Sequence, residues 1–434
     1  MQTMSERTIP SEIPSNLLDT EDKRSWDWGL TLVLLSVASV FLGSTLVALN
    51  LSFFQLYPLR LFGIIGLVFL LTNHKSRDPF LTFIFRYTVF FLLFGFFSIL
   101  WAPNTVLAIK EFGILQTGLT FTWLICRYVD TEERIELVIA IWVVGAIFVN
   151  LIGLWEVVNQ QFLIKTEVGA QTERAIARIG FLAPRGIFNN QNNYAFFNGI
   201  TSLILLGRLI KKYQPTYLYI LNVLSFGLSF FLLVCSYSRA AIGGFTIASA
   251  FFLLFIFFSK NSVKSNLVNI ILLSFAAFIA LIIISPSTIE SFSDKLFLVV
   301  EKNNIRTEEG RSNLYTASLA YAYESLGIGR GPGASINNLG GLPPHNYFLQ
   351  ILIDYGILIV LLQLWILCRV FKRLGNYKHI IHNAMPPMMQ ASILAFPLLS
   401  IGPSSIVGEG VFWLWLGVII AYSSISIRKY FDLK

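Results

Sequence analysis

The sequence predicts an all-α polytopic membrane protein with about twelve transmembrane helices and a long extracytoplasmic loop near the C-terminal third. Three observations carry that prediction: an apolar composition, apolar runs of bilayer-spanning length, and basic residues gathered in alternate short connections. Of 434 residues, 55% are hydrophobic and 13% charged, against roughly 25% charged in an average soluble domain. Mean hydropathy is +0.68. This much apolar surface cannot be hidden in a water-soluble core, which excludes a soluble enzyme, a disordered chain and a nucleic-acid-binding domain. The net charge of +8 then reads as basic cytoplasmic loops rather than as affinity for nucleic acid.

A helix crossing the hydrocarbon needs about 20 apolar residues. Runs of that kind lie at about 29–49, 51–72, 80–101, 107–126, 137–157, 193–209, 216–235, 240–258, 267–285, 346–371, 386–405 and 409–427. The chain divides accordingly into a polar tail (1–28), a helical membrane domain (29–427) and a short tail (428–434). With the N-terminus inside, 19 of the 32 Lys and Arg fall in the tails and short inner connections, and nine fall in two long outer loops, about 158–192 and 286–345. Long loops report poorly on orientation, so the short basic ones decide it and place both termini in the cytoplasm. Extramembrane chemistry is then expected at the outer face.

Four features there can carry chemistry. The first is Pro184-Arg185-Gly186-Ile187-Phe188 followed by Asn189, Asn190, Gln191, Asn192 and Asn193. Amides at a helix entrance cap it, and they also bind sugar hydroxyls or phosphate oxygens; Arg185 is suited to a bidentate grip on phosphate. The second is Ser236-Tyr237-Ser238-Arg239, between two apolar runs. An arginine at that depth is costly unless paired or functional, and the small residues Ala240, Ala241, Gly243 and Gly244 permit close helix approach. We therefore expect Arg239 to face inward as an anion-binding group.

The third feature is Arg311 ahead of Gly327-Ile328-Gly329-Arg330-Gly331-Pro332-Gly333. Its glycines imitate a dinucleotide fingerprint, but no βαβ unit surrounds them. A loop turn is the plain reading and a backbone nest for phosphate the other. The fourth is His345-Asn346 after Pro343-Pro344, where a long loop meets a helix and Asn346 sits at the helix start. His345 is the sole histidine on the outer side; His74, His379 and His382 lie in basic inner connections. No paired carboxylates, and no spacing among Cys126, Cys235 and Cys368, suggest a metal site or a disulfide framework.

These four features, in this order between the spans, resemble the O-antigen ligase and Wzy-type polymerase superfamily, membrane glycosyltransferases of the GT-C kind. The specific part of the likeness covers about 180–360. A pattern common in the ligases runs His, then Asn, Ser or Gln, nine residues, Gly, two residues, then Gly, Thr or Tyr. Here it is matched by His345, Asn346 and Gly356 and departs at Ile359.

The resemblance implies a bacterial inner-membrane enzyme that passes a glycan from undecaprenyl diphosphate to an acceptor hydroxyl, with no cofactor or metal. It implies His345 as base and Arg185 and Arg239 as holders of the diphosphate. Arg311, Asn189, Asn192 and Asn346 are the expected substrate-binding residues. The expected partners are the lipid-linked glycan donor, a glycan or lipid-linked acceptor, membrane lipid and other polysaccharide-assembly proteins. A polymerase is favoured over a ligase. The rival expectation is a transporter or flippase for lipid-linked glycan or a small solute; such carriers often show internal repeats, and none is visible here.

Overall fold

The computed structural model describes residues 27–51, 54–72, 78–164, 182–210, 214–258, 306–339, 341, 343–375 and 384–432. They form α1 (Trp28–Val40), α2 (Gly43–Leu46), a hairpin of β1 (Leu49–Leu51) and β2 (Phe54–Leu56), α3 (Pro58–Thr72), α4 (Pro79–Ser98), α5 (Thr105–Tyr128), α6 (Glu132–Asn159), α7 (Gln191–Leu209), α8 (Thr216–Cys235), α9 (Arg239–Phe258), α10 (Arg306–Glu324), α11 (Ala334–Asn338), α12 (Tyr347–Gly375), α13 (Met385–Leu399) and α14 (Gly410–Asp432). Five of these are long and apolar enough to cross a membrane: Pro79–Trp101, Glu132–Asn159, Thr216–Cys235, Arg239–Ile256 and Tyr347–Gly375.

Helices occupy eleven of the twelve expected runs; the run at 267–285, His74, His379 and His382 lie outside the described residues. The first two runs are corrected. The helix stops at Val40, Gly43 adopts φ +61, and the chain forms the β1–β2 hairpin before Pro58 restarts it. Part of the expected outer loop 286–345 is itself helical, as α10 and α11.

Local chemistry sets the helix starts. Asp27, Asp78, Asn104, Thr131, Asn190 and Asn346 each accept a backbone N–H of the following turn, satisfying donors that a helix leaves unpaired. Contacts between elements fix the two ends of the bundle. At the lower end Arg134 pairs with Asp27 at 3.0 Å, Arg208 with Glu136 at 2.7 Å and Arg373 with Asp78. The ends of α1, α4 and α8 and the starts of α5, α7, α9, α12 and α14 point the other way.

That upper end is not level. Thr122 lies 17 residues, about 25 Å, beyond Thr105 along α5. Its hydroxyl bonds the Trp413 carbonyl at 3.0 Å, only three residues into α14. Gly118 gives the Trp413 indole room, since a Cβ there would lie 2.1 Å from the ring. So α14 starts well inside the bundle, and α5 rises above it. Likewise Tyr194, near the start of α7, donates to Asn150 at 2.8 Å, nine residues before α6 ends at Asn159.

The third sign of this recess is α12. Its backbone breaks at Gly356, with φ 82 and ψ 176. Tyr347 and Gln363 line one small cavity together with Tyr87; in an unbroken helix they would stand about 24 Å apart. The chain therefore turns back at Gly356. A short arm, 347–355, climbs from the interior to the rim, and a long arm, 357–375, descends to the lower end.

The glycine-rich segment closes the break. Arg330 N–H donates to the Ile353 carbonyl at 2.8 Å, Gly331 N–H to Asp354 at 2.9 Å, and Ile357 N–H to Gly327 at 2.8 Å. Trp101 Nε1 donates to the Gly329 carbonyl at 3.2 Å, and Asp354 accepts Ser335 N–H at 2.7 Å and Ser335 Oγ at 3.1 Å. Gly327, Gly329, Gly331 and Gly333 all have φ between +74 and +91, which lets the segment lie this close. A structural reading thus replaces the phosphate-nest one: the amides of Arg330 and Gly331 are used on α12, and that of Gly327 on Ala322 of α10.

A Cβ at Gly356 would sit 2.3 Å from the Gly327 carbonyl oxygen, and its φ and ψ cost an L-residue about 1–3 kcal/mol. Gly356→Ala is expected to destabilise the protein by at least ~3 kcal/mol by thermal unfolding. Gly227→Ala, where a Cβ meets nothing within 4 Å, is the control and should change stability by less than ~1 kcal/mol. Equal Tm values for the two variants would refute the break as described.

Candidate functional site

Two of the four sequence features, and α12 just beyond a third, meet on one loop, residues 400–409, between α13 and α14. From α7, Asn193 donates through Nδ2 to Glu409 Oε1 and accepts Ser404 N–H on Oδ1 at 3.2 Å. From α12, Gln350 accepts Ser405 Oγ at 3.1 Å. From the α8–α9 turn, Ser238 Oγ lies 3.1 Å, and Asn192 Cβ 3.9 Å, from the position a Cβ would take on Gly402. This loop follows the interior end of α13 and precedes the sunken start of α14, so it forms the floor of the recess.

Arg185 stands at the wall. It is 5% exposed. Its guanidinium donates to the Ile164 carbonyl at 2.6 Å and stacks 3.9 Å over the Phe162 ring. Burial lowers its pKa and Glu156 opposes that shift; the group stays protonated. What aims it is Glu156, fully buried in α6. Glu156 Oε2 accepts Arg185 N–H at 2.8 Å and Gly186 N–H at 2.9 Å, and Gly186 takes φ +53 to allow this.

The Asn-rich run separates into roles. Asn190 caps α7, accepting Asn192 N–H at 2.6 Å. Asn193 ties α7 to the floor loop. Asn192 is half-buried beside Gly402, and Asn189 is exposed. The Asn346 side chain caps α12, accepting Leu349 N–H at 3.2 Å. His345 precedes it, half-buried, with φ 50, a left-handed conformation that non-glycine residues seldom hold. Tyr347 packs on Phe412 and Phe396 with centroids at 4.9 and 5.5 Å, which seats the His345 end of α12 low in the recess. Arg311 lies on α10.

Arg239 corrects an expectation. It opens α9 with its side chain exposed, not packed inward. The reason is the register of the helix. Ala241 is fully buried, and Gly244 and Gly243 let α9 close on Leu399 and Leu398 of α13. The small face is used for packing, and Arg239 turns away from it at the upper end of the helix.

The sequence reading missed Glu156, Gln350 and Glu409. Burial pushes the Glu409 carboxyl up to about 7, against the lowering effect of the Asn193 hydrogen bond. A carboxylate inside an apolar run or between two of them is the signal that was available.

Glu156→Ala removes the acceptor of two buried backbone N–H groups, each worth about 1–3 kcal/mol when orphaned. It should cost ~2–4 kcal/mol and expose 182–190 to limited proteolysis. A wild-type cleavage pattern at wild-type stability would show that Glu156 does not hold the Arg185 turn.

A family model described as O-antigen ligase matches residues 224–364, a stretch that contains Arg239, Arg311, His345, Asn346 and Gly356. The teichuronic acid biosynthesis protein TuaE of Bacillus subtilis (strain 168) is 24% identical, over 92% of this chain and 85% of its own length. The chain is a multi-pass membrane protein that is similar to the O-antigen ligase family over residues 224–364 and to TuaE over most of its length.

Proposed function

We propose that this protein transfers glycan repeat units from undecaprenyl diphosphate to an acceptor hydroxyl at the outer face of the bacterial inner membrane, as a polymerase rather than a terminal ligase. Both termini are then cytoplasmic and the recess opens outward. The observation that carries the reading is the meeting of the Asn192–Asn193 start of α7, the Ser238 turn and, through Gln350, the first turn of α12 that His345 and Asn346 precede, around the 400–409 loop, in a chain similar to O-antigen ligases. The name of its relative, which concerns teichuronic acid biosynthesis, points towards an envelope polysaccharide as product.

In this reading the neutral His345 imidazole accepts the proton of the acceptor hydroxyl. The acceptor oxygen attacks the anomeric carbon from the face opposite the diphosphate. The glycosidic bond forms as the bond to the diphosphate oxygen breaks, inverting the centre. The electron pair leaves with undecaprenyl diphosphate, whose developing charge is met by Arg185 in the wall and by Arg239 at the opening. Neither step calls for a metal. Asn189, Asn192, Asn346 and Arg311 are assigned to substrate binding. A site sunk below the ends of α5 and α6 keeps the lipid diphosphate near headgroup depth while the glycan emerges above.

His345→Ala is expected to lower transfer at least ~100-fold, the usual minimum contribution of a general base, with the variant still inserted in the membrane. Single repeat units should then accumulate on undecaprenyl diphosphate in cells. Full-length polymer stranded on the lipid would instead make the protein a ligase. An unchanged glycan profile would overturn the transferase reading in favour of a carrier.

A further inference from the structure

We propose that Glu409 is a positioning residue for this transfer, holding the Asn193 end of α7, and with it the segment from Arg185 to Asn192, against the floor loop from which α14 departs. The inference rests on the transferase reading and adds to it a residue outside the matched family region, 224–364.

The geometry carries it. Glu409 Oε1 accepts Asn193 Nδ2, and the other end of the same amide accepts Ser404 N–H at 3.2 Å. The Asn193 side chain is therefore used on both sides by one loop. Asn193 is 4% exposed and sits two residues from the start of α7. The floor loop has two further ties to the site, Gln350 with Ser405 and the close packing of Gly402 on Ser238 and Asn192. Among the described ties only the Glu409–Asn193 bond brings an ionisable acceptor, and in the carboxylate form such a bond is the stronger kind.

A carboxylate here is not explained by stability alone. Burying one is costly, and replacing a buried charged group by an apolar side chain of similar volume is often neutral or stabilising. What Glu409 adds is direction: it fixes how α7 enters the recess relative to α12.

The test uses the full chain in membranes, with undecaprenyl-diphosphate-linked repeat units extracted from the producing cells as donor. Wild type, Glu409→Ala, Glu409→Gln, Asn193→Ala and His345→Ala are compared for rate against donor concentration. Glu409→Ala should raise the donor KM about tenfold, the scale of one lost charge-assisted hydrogen bond, with kcat within about threefold. Glu409→Gln keeps an acceptor oxygen and should recover most of that KM. Asn193→Ala leaves Glu409 in place and should reproduce the shift, so the idea stays testable if Glu409→Ala does not insert. A wild-type KM in Asn193→Ala, or equal losses in Glu409→Ala and Glu409→Gln that follow only the amount of folded protein, would overturn the proposal. Full activity of His345→Ala would instead overturn the transferase reading on which it rests.

Discussion

Inside a bilayer-sized bundle a backbone N–H or carbonyl that leaves the helix must find a protein partner, and the break in α12 at Gly356 is where this constraint shapes the molecule. The chain can turn back there because Gly327, Arg330 and Gly331 exchange hydrogen bonds with Ile357, Ile353 and Asp354. The glycine segment in turn is held by Trp101 and by Ser335 on Asp354. Without that closure the short arm of α12 would have no reason to descend, and the His345 end would stand at the rim.

The descent gives the site its depth. Tyr347 reaches the aromatic layer of Phe396 and Phe412, and α14 starts at the level of Thr122. Around the resulting recess the chain places groups that water would otherwise solvate: Arg185, Glu156, Asn193 and Arg60, each no more than 5% exposed. Each is met by a hydrogen-bonding partner on a neighbouring segment. Burial on these terms sets their orientation, which is what the proposed transfer from a lipid diphosphate to an acceptor hydroxyl requires.

Much of this was legible in the sequence. The apolar runs locate the helices because the bilayer imposes their length, and capping residues mark their starts. His345, Asn346 and Gly356 were visible as a spaced pattern, and the structure gives Gly356 its reason: φ 82 with no room for a Cβ. What the sequence hides is depth. An apolar run of 17 residues that begins inside the bundle looks the same as one that begins at the rim, so the recess at α7 and α14 could not be read. Arg239 was misjudged because the small residues after it signal close packing but not which way the preceding side chain turns. Glu409 sat between two glycines in what reads as a turn, and its partner is 216 residues away, a distance no local pattern spans.

The site depends most directly on the meeting of α7 with the 400–409 loop, and a cross-link measures it. Asn192 Cβ lies 3.9 Å from the Cβ position of Gly402, within the roughly 3.5–4.5 Å that a disulfide spans. In a background without Cys126, Cys235 and Cys368, the pair Asn192→Cys and Gly402→Cys should form a disulfide in membranes under mild oxidation. Two free thiols in a folded, inserted protein would contradict the shared floor and, with it, the site.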